Sequence, residues 1–324
     1  MSPTPTAAAQ LARDQADAQR TRTGTAYGLS AYLLWGLFPL YFRALEPGGA
    51  FEILTHRILW TLVLCTVVLG IRREFAWARP LLTSPRALGA LGLASVFIAA
   101  NWTIYLVAVM SGHVTEAALG YFLNPLVTVG LGVVVLGEKL RPLQWVAVAI
   151  GVVAAVYLSI DYGRPPWISF CLAFSFAMYG LMKKRIGTSL GALQGLTAEA
   201  AILAPVAAVV LGVLTWQGST TFTVQAPWHA LLLVSTGVAT AVPLIMFAAA
   251  ARRVPLVSIG LMQFITPVLQ LLCAVLLLGE TMSSGRWIGF GIVWVALVAL
   301  TLDSLTSARS RSRRLARAAE SAAC

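Results

Sequence analysis

Two ionisable sites lie inside long apolar runs of this 324-residue chain, where a charge is expensive. Arg57, with His56 beside it, falls in one run, and Glu199 falls in another run 142 residues further along. A charge that faces a cavity can recognise or gate a substrate, and a carboxylate in a medium of low dielectric can carry a proton. The chemistry to look for is therefore binding, gating and proton transfer.

Each of these residues also has a structural interpretation. Arg57 is expected to pair with Glu116 or Glu52, which fall at its own depth, or to cap carbonyls at the outer rim. Glu199 could face the cytoplasm as a solvated carboxylate, and His56 could lie at the wet outer rim. An ion pair between Arg57 and Glu199 is not expected, because the two would lie roughly 12 Å apart along the membrane normal.

Side-chain amides and aromatic rings near the middle of apolar runs form a second group of candidates. An amide that faces lipid is costly, so these amides are expected to point inward, where they bind either cargo or a neighbouring helix. The rings would line a cavity suited to an amphipathic, largely uncharged cargo. The amides are Asn101, Asn124, Gln263 and Gln270, and the rings are Trp35, Trp102, Tyr105, Tyr121, Tyr179 and Phe264.

Three prolines, Pro125, Pro243 and Pro267, also fall within apolar runs. Each removes an intrahelical hydrogen bond and frees a carbonyl, which predicts a kink or a hinge. Pro125 and Pro267 are 142 residues apart. A hinge in each half would suit a rocking movement, and static kinks explain the same pattern.

The composition indicates that these residues lie in helices that span a membrane. The chain is 59% hydrophobic and 11% charged, whereas an ordinary soluble domain is about 25% charged. Runs of about 20 apolar residues, enough to cross a bilayer as a helix, follow one another closely. Ten spans are predicted, at residues 24–45, 50–71, 88–110, 115–137, 142–160, 165–183, 193–215, 228–250, 256–279 and 285–303.

The ends of the chain are polar and set its orientation. Residues 1–23 are predicted to be a disordered cytoplasmic tail, and residues 304–324 a basic cytoplasmic tail. With both termini in the cytoplasm, 19 of the 23 Lys and Arg residues fall on the inner side of the membrane. This orientation explains the net charge of +11, so nucleic acid is not expected as a partner.

Residues 119–161 are repeated without a gap at residues 261–303, with 14 of 43 positions identical. Five spans in each copy is an odd number, so the second copy must enter the membrane from the opposite side. The predicted fold is an all-α membrane protein of ten transmembrane helices in two inverted five-helix repeats, residues 24–160 and 165–303. Secondary transporters use such repeats to alternate access to a site near the midplane.

Other functions have less support in the sequence. The three histidines are assigned to three separate elements, and no metal-binding, nucleophile or phosphate-loop motif is present, so no enzyme activity, metal or cofactor is expected. A lipid flippase or a non-transporting scaffold is the alternative, followed by a membrane-embedded enzyme. Gly285 and Gly289, like Gly187, Gly191 and Gly195, allow close helix approach and would suit a homodimer, although such spacing is common in apolar sequence.

Six stretches resemble the RarD branch of the EamA-type transporters, within the drug/metabolite transporter superfamily. They are AYLLWGLFPLYF, FEILTHRILW, AANWTIYLVAV, EAALGYFLNPLVTVGLGVVVLGE, LAFSFAMYGLMKKR and LMQFITPVLQLLCAVLLLGE. The resemblance covers residues 24–303 and implies a ten-helix permease of the bacterial inner membrane, with cytoplasmic termini and a central cavity for a small organic metabolite or drug. Members of this branch are commonly labelled chloramphenicol-resistance or chloramphenicol-sensitivity permeases, which names a phenotype and not a substrate.

Overall fold

A computed structural model describes residues 7–136, 140, 142–186, 190–223, 225–251, 253–254 and 262–323. Within these ranges the chain is helical and has no strand. The α-helices are α1 (Ala7–Gly36), α2 (Phe38–Arg43), α3 (Ala50–Arg72), α4 (Ala78–Leu82), α5 (Pro85–Met110), α6 (Val114–Leu136), α7 (Pro142–Asp161), α8 (Trp167–Ile186), α9 (Ala192–Trp216), α10 (Pro227–Ala251), α11 (Ile265–Leu272) and α12 (Ser284–Ala323), and a π-helical turn, Cys273–Leu277, follows α11.

Seven of the described helices contain a segment long and apolar enough to cross a membrane, and each segment begins and ends within three residues of a predicted span. They are Ala50–Arg72, Pro85–Met110, Val114–Val135, Pro142–Asp161, Ala192–Trp216, Pro227–Ala250 and Ser284–Asp303. Two shorter apolar segments, Trp167–Lys183 and Ile265–Leu277, accompany them. Large apolar side chains cover the outside of the bundle, where Trp216 is 87% exposed and Val134 is 83% exposed. Such a surface needs lipid around it, and the chain is a multi-pass helical membrane protein.

The helices pack as a bundle with α3 near its centre. α3 packs against α9 and α10, α8 packs against α5 and α6, α7 packs against α12, and α1 packs against α10. One core cluster is built around Phe42, Ile53 and Leu106, and a second is built around Phe122 and Phe290. The first cluster surrounds the buried charge of α3.

The start of the chain differs from the prediction. Residues 7–23, predicted to belong to a disordered tail, are helical because α1 begins at Ala7 and continues without a break into the apolar run. The predicted first span is also divided, with α1 ending at Gly36 and α2 beginning at Phe38. Pro39 explains this division, because a proline lacks the N–H that would continue the helix and clashes with the preceding turn.

The three prolines have different settings. Pro125 lies inside the unbroken α6, and Pro243 lies inside the unbroken α10. Pro267 lies near the start of α11, which gives way to the π turn at Cys273–Leu277. Part of the predicted ninth span, residues 256–261, falls outside the described residues. Hinge movement at the prolines stays a prediction.

Three carboxylates, Glu52, Glu116 and Glu280, hold one end of the bundle together, which we name the carboxylate end; Glu52 and Glu116 are buried. Glu52 accepts hydrogen bonds from the backbone N–H groups of residues 221 and 222 at 2.7 and 3.1 Å. Glu280 accepts from the N–H groups of Val114 and Thr115 at 2.6 and 2.8 Å, which are free donors at the start of α6. A negative charge beside a helix N-terminus is also stabilised by the helix dipole. Glu116 plays a similar part at the start of α8.

Glycines allow several helices to approach closely within the chain. A Cβ atom on Gly289 or Gly285 would collide with Leu158 or Asp161 of α7. This pair of glycines therefore serves the contact between α7 and α12 within one chain, and a homodimer stays a prediction. Gly237 of α10 is placed in the same way against the backbone of α3.

The Gly237→Ala variant is expected to lose about 2 kcal/mol of stability, within the range for overpacking. Its Cβ would lie 2.5 Å from the Trp60 carbonyl carbon and 2.6 Å from the Trp60 oxygen, and these backbone atoms cannot rotate away. Gly212→Ala is the matched control, because a Cβ there meets nothing within 4 Å and alanine favours a helix. Reversible unfolding in mixed micelles would measure both variants, and equal stability of the two would contradict the packing argument.

Candidate functional site

Arg57 of α3 lies in an aromatic cage near the centre of the bundle. Arg57 is 5% exposed, and its guanidinium carbon lies 4.2 Å from the centre of the Trp102 ring. The rings of Phe42 and Phe38 are 5.5 and 5.7 Å away. Nε donates a hydrogen bond of 2.8 Å to the Thr240 hydroxyl of α10. The cage therefore stabilises a buried cation through ring faces and one hydroxyl.

The predicted ion pair of Arg57 with Glu116 or Glu52 is wrong. Glu116 instead accepts hydrogen bonds from Arg164 Nη2 and from the Ile168 N–H group, each at 3.1 Å. Glu52 accepts from the loop before α10, as described above. Both carboxylates accept hydrogen bonds from backbone N–H groups, which helix starts and loops present in fixed directions.

Three tyrosine hydroxyl groups lie within electrostatic range of the Arg57 charge. Tyr41 OH is paired with the Ser235 hydroxyl at 2.8 Å and with the Leu232 carbonyl at 3.1 Å. Tyr121 OH donates to Asn101 Oδ1 at 3.4 Å. Tyr105 is 3% exposed, and among the described residues its OH has no hydrogen-bond partner. One phenol donor beside the guanidinium is therefore free.

A series of aromatic rings connects the Arg57 cage with the second buried charge. Successive ring centres from Phe42 to Tyr105, Tyr121, Phe176 and Tyr179 are separated by 6.1, 5.6, 6.4 and 6.1 Å. The rings come from α2, α5, α6 and α8, so this series crosses the interior of the bundle.

Glu199 of α9 lies at the far end of the aromatic series and is 2% exposed. Lys183 Nζ of α8 contacts its Oε1 at 2.7 Å, and the Tyr179 hydroxyl donates to the carboxylate at 3.3 Å. The alternative of a solvated Glu199 is therefore wrong. Tyr179 and Lys183 are four residues apart on one helix, so both side chains reach the same carboxylate.

The surroundings of the two buried charges correspond to each other along the sequence. Arg57 and Glu199 are 142 positions apart in the sequence. Each α2 residue that contacts Arg57 has a counterpart 141 positions later, in α8, and that counterpart contacts Glu199. The corresponding pairs are Phe38 with Tyr179, Phe42 with Lys183, and Arg57 with Glu199. Equivalent positions in the two halves therefore hold Arg57, a cation surrounded by aromatic rings, and Glu199, a carboxylate paired with Lys183.

Two of the four amide candidates, Asn101 and Gln270, bind neighbouring helices. Asn101 is 1% exposed and donates to the Leu172 carbonyl and the Ser175 hydroxyl of α8 at 3.1 and 3.2 Å. Asn124 is buried and accepts from Thr128 of its own helix at 3.4 Å. Such contacts fit the interhelical alternative for Asn101 better than direct contact with cargo.

The remaining cavity candidates lie around α1 and α11. Gln270 donates from its amide to the Trp35 carbonyl at 3.2 Å, which ties α11 to α1. Trp35 is half-buried against Phe247, with ring centres 5.9 Å apart. Gln263 and Phe264 are half-buried just before α11, where Phe264 packs on the second core cluster and is separated from the Arg57 cage.

His56 is buried, which contradicts its predicted place at a wet rim. It is 4% exposed, its ring stacks on Phe222 at 4.9 Å, and its Nδ1 accepts from Trp60 Nε1 at 3.2 Å. The loop before α10 covers it, because Glu52 draws that loop onto the start of α3.

A pocket of about 460 Å³ opens at the carboxylate end. Its wall includes Glu116, Glu280, Arg164, Arg286 and Tyr162. Arg286 lies 4.3 Å from the centre of the Tyr162 ring. Burial raises the pKa of Tyr162, which lies in the link between α7 and α8, to about 12. Among the described residues no group of three or more metal-ligating side chains is found here or elsewhere.

Sequence reasoning missed Lys183, Thr240 and the ring pair Phe38 and Phe42. Lys183 was assigned to an inner loop with its basic neighbours, although its spacing of four from Tyr179 indicates a shared helix face. Nothing in the sequence indicated that Thr240 would contact Arg57, because threonines are common in apolar runs. The rings at residues 38 and 42 share the same spacing of four and could have been grouped with Arg57 through the repeat.

Comparison with known proteins gives consistent matches. The profile of the EamA-like transporter family matches residues 22–160. The "Protein RarD" of Streptomyces exfoliatus is 50% identical over 301 residues, covering 92% of this chain and 94% of that protein. The "Protein RarD" of Escherichia coli (strain K12) is 38% identical over 298 residues, covering 92% of this chain and 100% of that protein. A crystal structure with 19% identity has the same fold at a TM-score of 0.57, covering 86% of this chain and 97% of that chain.

The apolar helical bundle and the family match together identify a multi-pass membrane transporter. This assignment is consistent with the prediction that the chain is not an enzyme. The chain belongs to the EamA-like transporter family, and within it to the RarD-type permeases, as the resemblance predicted.

Proposed function

We propose that the chain is a secondary active transporter that moves a small organic molecule by alternating access. Ten spans would form two inverted five-helix units, residues 24–160 and 165–303, in the bacterial inner membrane with both termini in the cytoplasm. One observation supports the proposal above all: Arg57 and Glu199 occupy equivalent positions in the two units, and the residues around them are also at equivalent positions. Two equivalent elements that meet at the centre of a bundle can exchange conformations around a shared site.

The packing of the helices supports the same arrangement. α3 packs against α9, α7 packs against α12, and α6 approaches α11, and in each pair the helices hold corresponding places in the two units. α1 packs against α10 just as α8 packs against α5. The carboxylate end would face outward, since the basic residues concentrate at the other end of the spans.

Proton coupling belongs to this proposal, and Glu199 is its carrier. A proton on the carboxylate would remove the charge that holds Lys183 and free both side chains. The π turn after Pro267 is the element of the second unit that would yield during rocking, because π turns interrupt the regular hydrogen-bond ladder.

The function is tested in two steps with the purified full chain. A thermal-shift screen against amino acids, metabolites and amphenicols first identifies a ligand. Counterflow in proteoliposomes then asks whether labelled ligand accumulates transiently inside vesicles loaded with the unlabelled compound. Accumulation that empty vesicles lack is expected. A ligand that binds and is never exchanged, with lipid scrambling in the same vesicles, would favour a flippase instead.

A further inference from the structure

Arg57 is a buried cation whose charge is not matched by a carboxylate. In the part of the chain that the structure describes, no acidic side chain lies within ion-pair distance of it. Glu52 and Glu116 are held at the carboxylate end, and Glu199 is held by Lys183. A buried charge of this kind is costly unless something else compensates it.

The contacts around Arg57 offset only part of that cost. The faces of Trp102, Phe42 and Phe38 attract the guanidinium, and Thr240 accepts one hydrogen bond from Nε. A guanidinium has five N–H donors, and no hydrogen bond to a described residue engages the four on the Nη atoms. These four donors form the planar fork that binds carboxylates with two parallel hydrogen bonds.

A second unused donor lies on a ring that packs against the cage. Tyr105 OH is buried without a hydrogen-bond partner among the described residues, and its phenol is within electrostatic range of Arg57. The Tyr105 ring contacts Phe42, whose ring also faces the guanidinium. A cationic fork, a free phenol and apolar rings thus meet at one place inside the bundle.

We propose that Arg57 binds the carboxylate of an organic-anion cargo, with the Tyr105 hydroxyl as a further donor and the apolar body of the cargo against Trp102 and Phe42. This inference rests on the proposed transport function and names its substrate class. It replaces the largely uncharged cargo predicted from the aromatic residues alone, because the buried guanidinium supplies the charge that such a cargo would leave unmatched.

The test uses matched probes that differ only in charge. Benzoate, phenylacetate and 3-phenylpropionate are compared with their amides and with the corresponding amines by thermal shift and by calorimetry. The protein is the purified full chain in a neutral detergent without anionic lipid. At least one carboxylate is expected to bind 10-fold or more tightly than its amide. Wild-type protein without any preference for carboxylates would overturn the proposal, even if every Arg57 variant fails to fold.

Variants then locate the preference. Arg57→Gln is expected to abolish the 10-fold preference, and Arg57→Lys to retain part of it, because lysine keeps the charge but lacks the fork. Arg43→Gln is the matched control, since Arg43 is exposed and paired with Glu46 outside the cage. A preference that survives in folded Arg57→Gln protein would place the anion elsewhere and overturn the assignment.

The outcomes separate this inference from the proposed function. If a carboxylate binds through Arg57 and is not exchanged in counterflow, transport is wrong and the anion site stands. If a neutral or cationic probe binds and is exchanged, transport stands and the anion site is wrong.

Discussion

Replacement of Lys183 by methionine is expected to destabilise the protein by about 3 kcal/mol, because removing one partner of a buried ion pair leaves the other charge uncompensated. Glu199 is 2% exposed, and among the described residues its paired cation is Lys183, with Nζ at 2.7 Å. The Lys183 side chain is 36% exposed, so the loss should lie at the lower end of the range for buried pairs. Unfolding in mixed micelles at neutral pH would measure the change.

The double variant Lys183→Met/Glu199→Gln provides the decisive comparison. With both charges removed, most of the lost stability should return, and the pair would show a coupling energy of about 1–3 kcal/mol. Arg86→Met serves as a control, since Arg86 is exposed near the same end of the bundle and should change stability by about 0.5 kcal/mol or less. A single Lys183→Met variant as stable as the control would show that the carboxylate does not depend on this partner.

Replacement of Glu199 by glutamine is expected to abolish the dependence of uptake on a pH gradient. Glutamine resembles the protonated carboxyl group and cannot release a proton, so the negative charge that attracts Lys183 would be absent throughout the cycle. Exchange without a gradient should continue, because it requires only the two conformations. Proteoliposomes with an imposed pH gradient and the ligand from the screen would measure both activities.

Glu74→Gln is the matched control for this variant. Glu74 is an exposed acidic residue after the end of α3 and has no place in the buried site. The control should retain wild-type gradient dependence. Gradient-driven uptake by Glu199→Gln equal to that of wild type would remove Glu199 as the coupling residue and leave the ion pair with a purely structural role.

The sequence was a good guide to helices and a poor guide to partners. Apolar length fixes where a helix can cross a membrane, which explains why the segment Ala50–Arg72 was placed to within one residue. The repeat in the sequence alone identifies Arg57 and Glu199 as corresponding positions. The depth of a residue along a span does not determine the direction of its side chain. Glu116 was therefore predicted to pair with Arg57, whereas it accepts a hydrogen bond from Arg164.

The excess of Lys and Arg on the cytoplasmic side predicts the orientation, but it also led to the wrong interpretation of Lys183. Lys183 was counted with the basic residues of an inner loop, but α8 continues to Ile186 and turns Lys183 toward Glu199. Asn101 shows a related limit, because a buried amide in sequence has the same appearance whether it binds α8 or cargo. Only tertiary contacts distinguish these cases.

The π turn at Cys273–Leu277 has a further mechanical meaning, since it contains one residue more than a regular turn of helix. Such a surplus residue is a register defect that can migrate along a helix without changing the length of the segment. Migration toward Pro267 would rotate the residues between by about 100°. Gln270, whose amide now donates to the Trp35 carbonyl, would then move away from α1 and release this contact between the two helices.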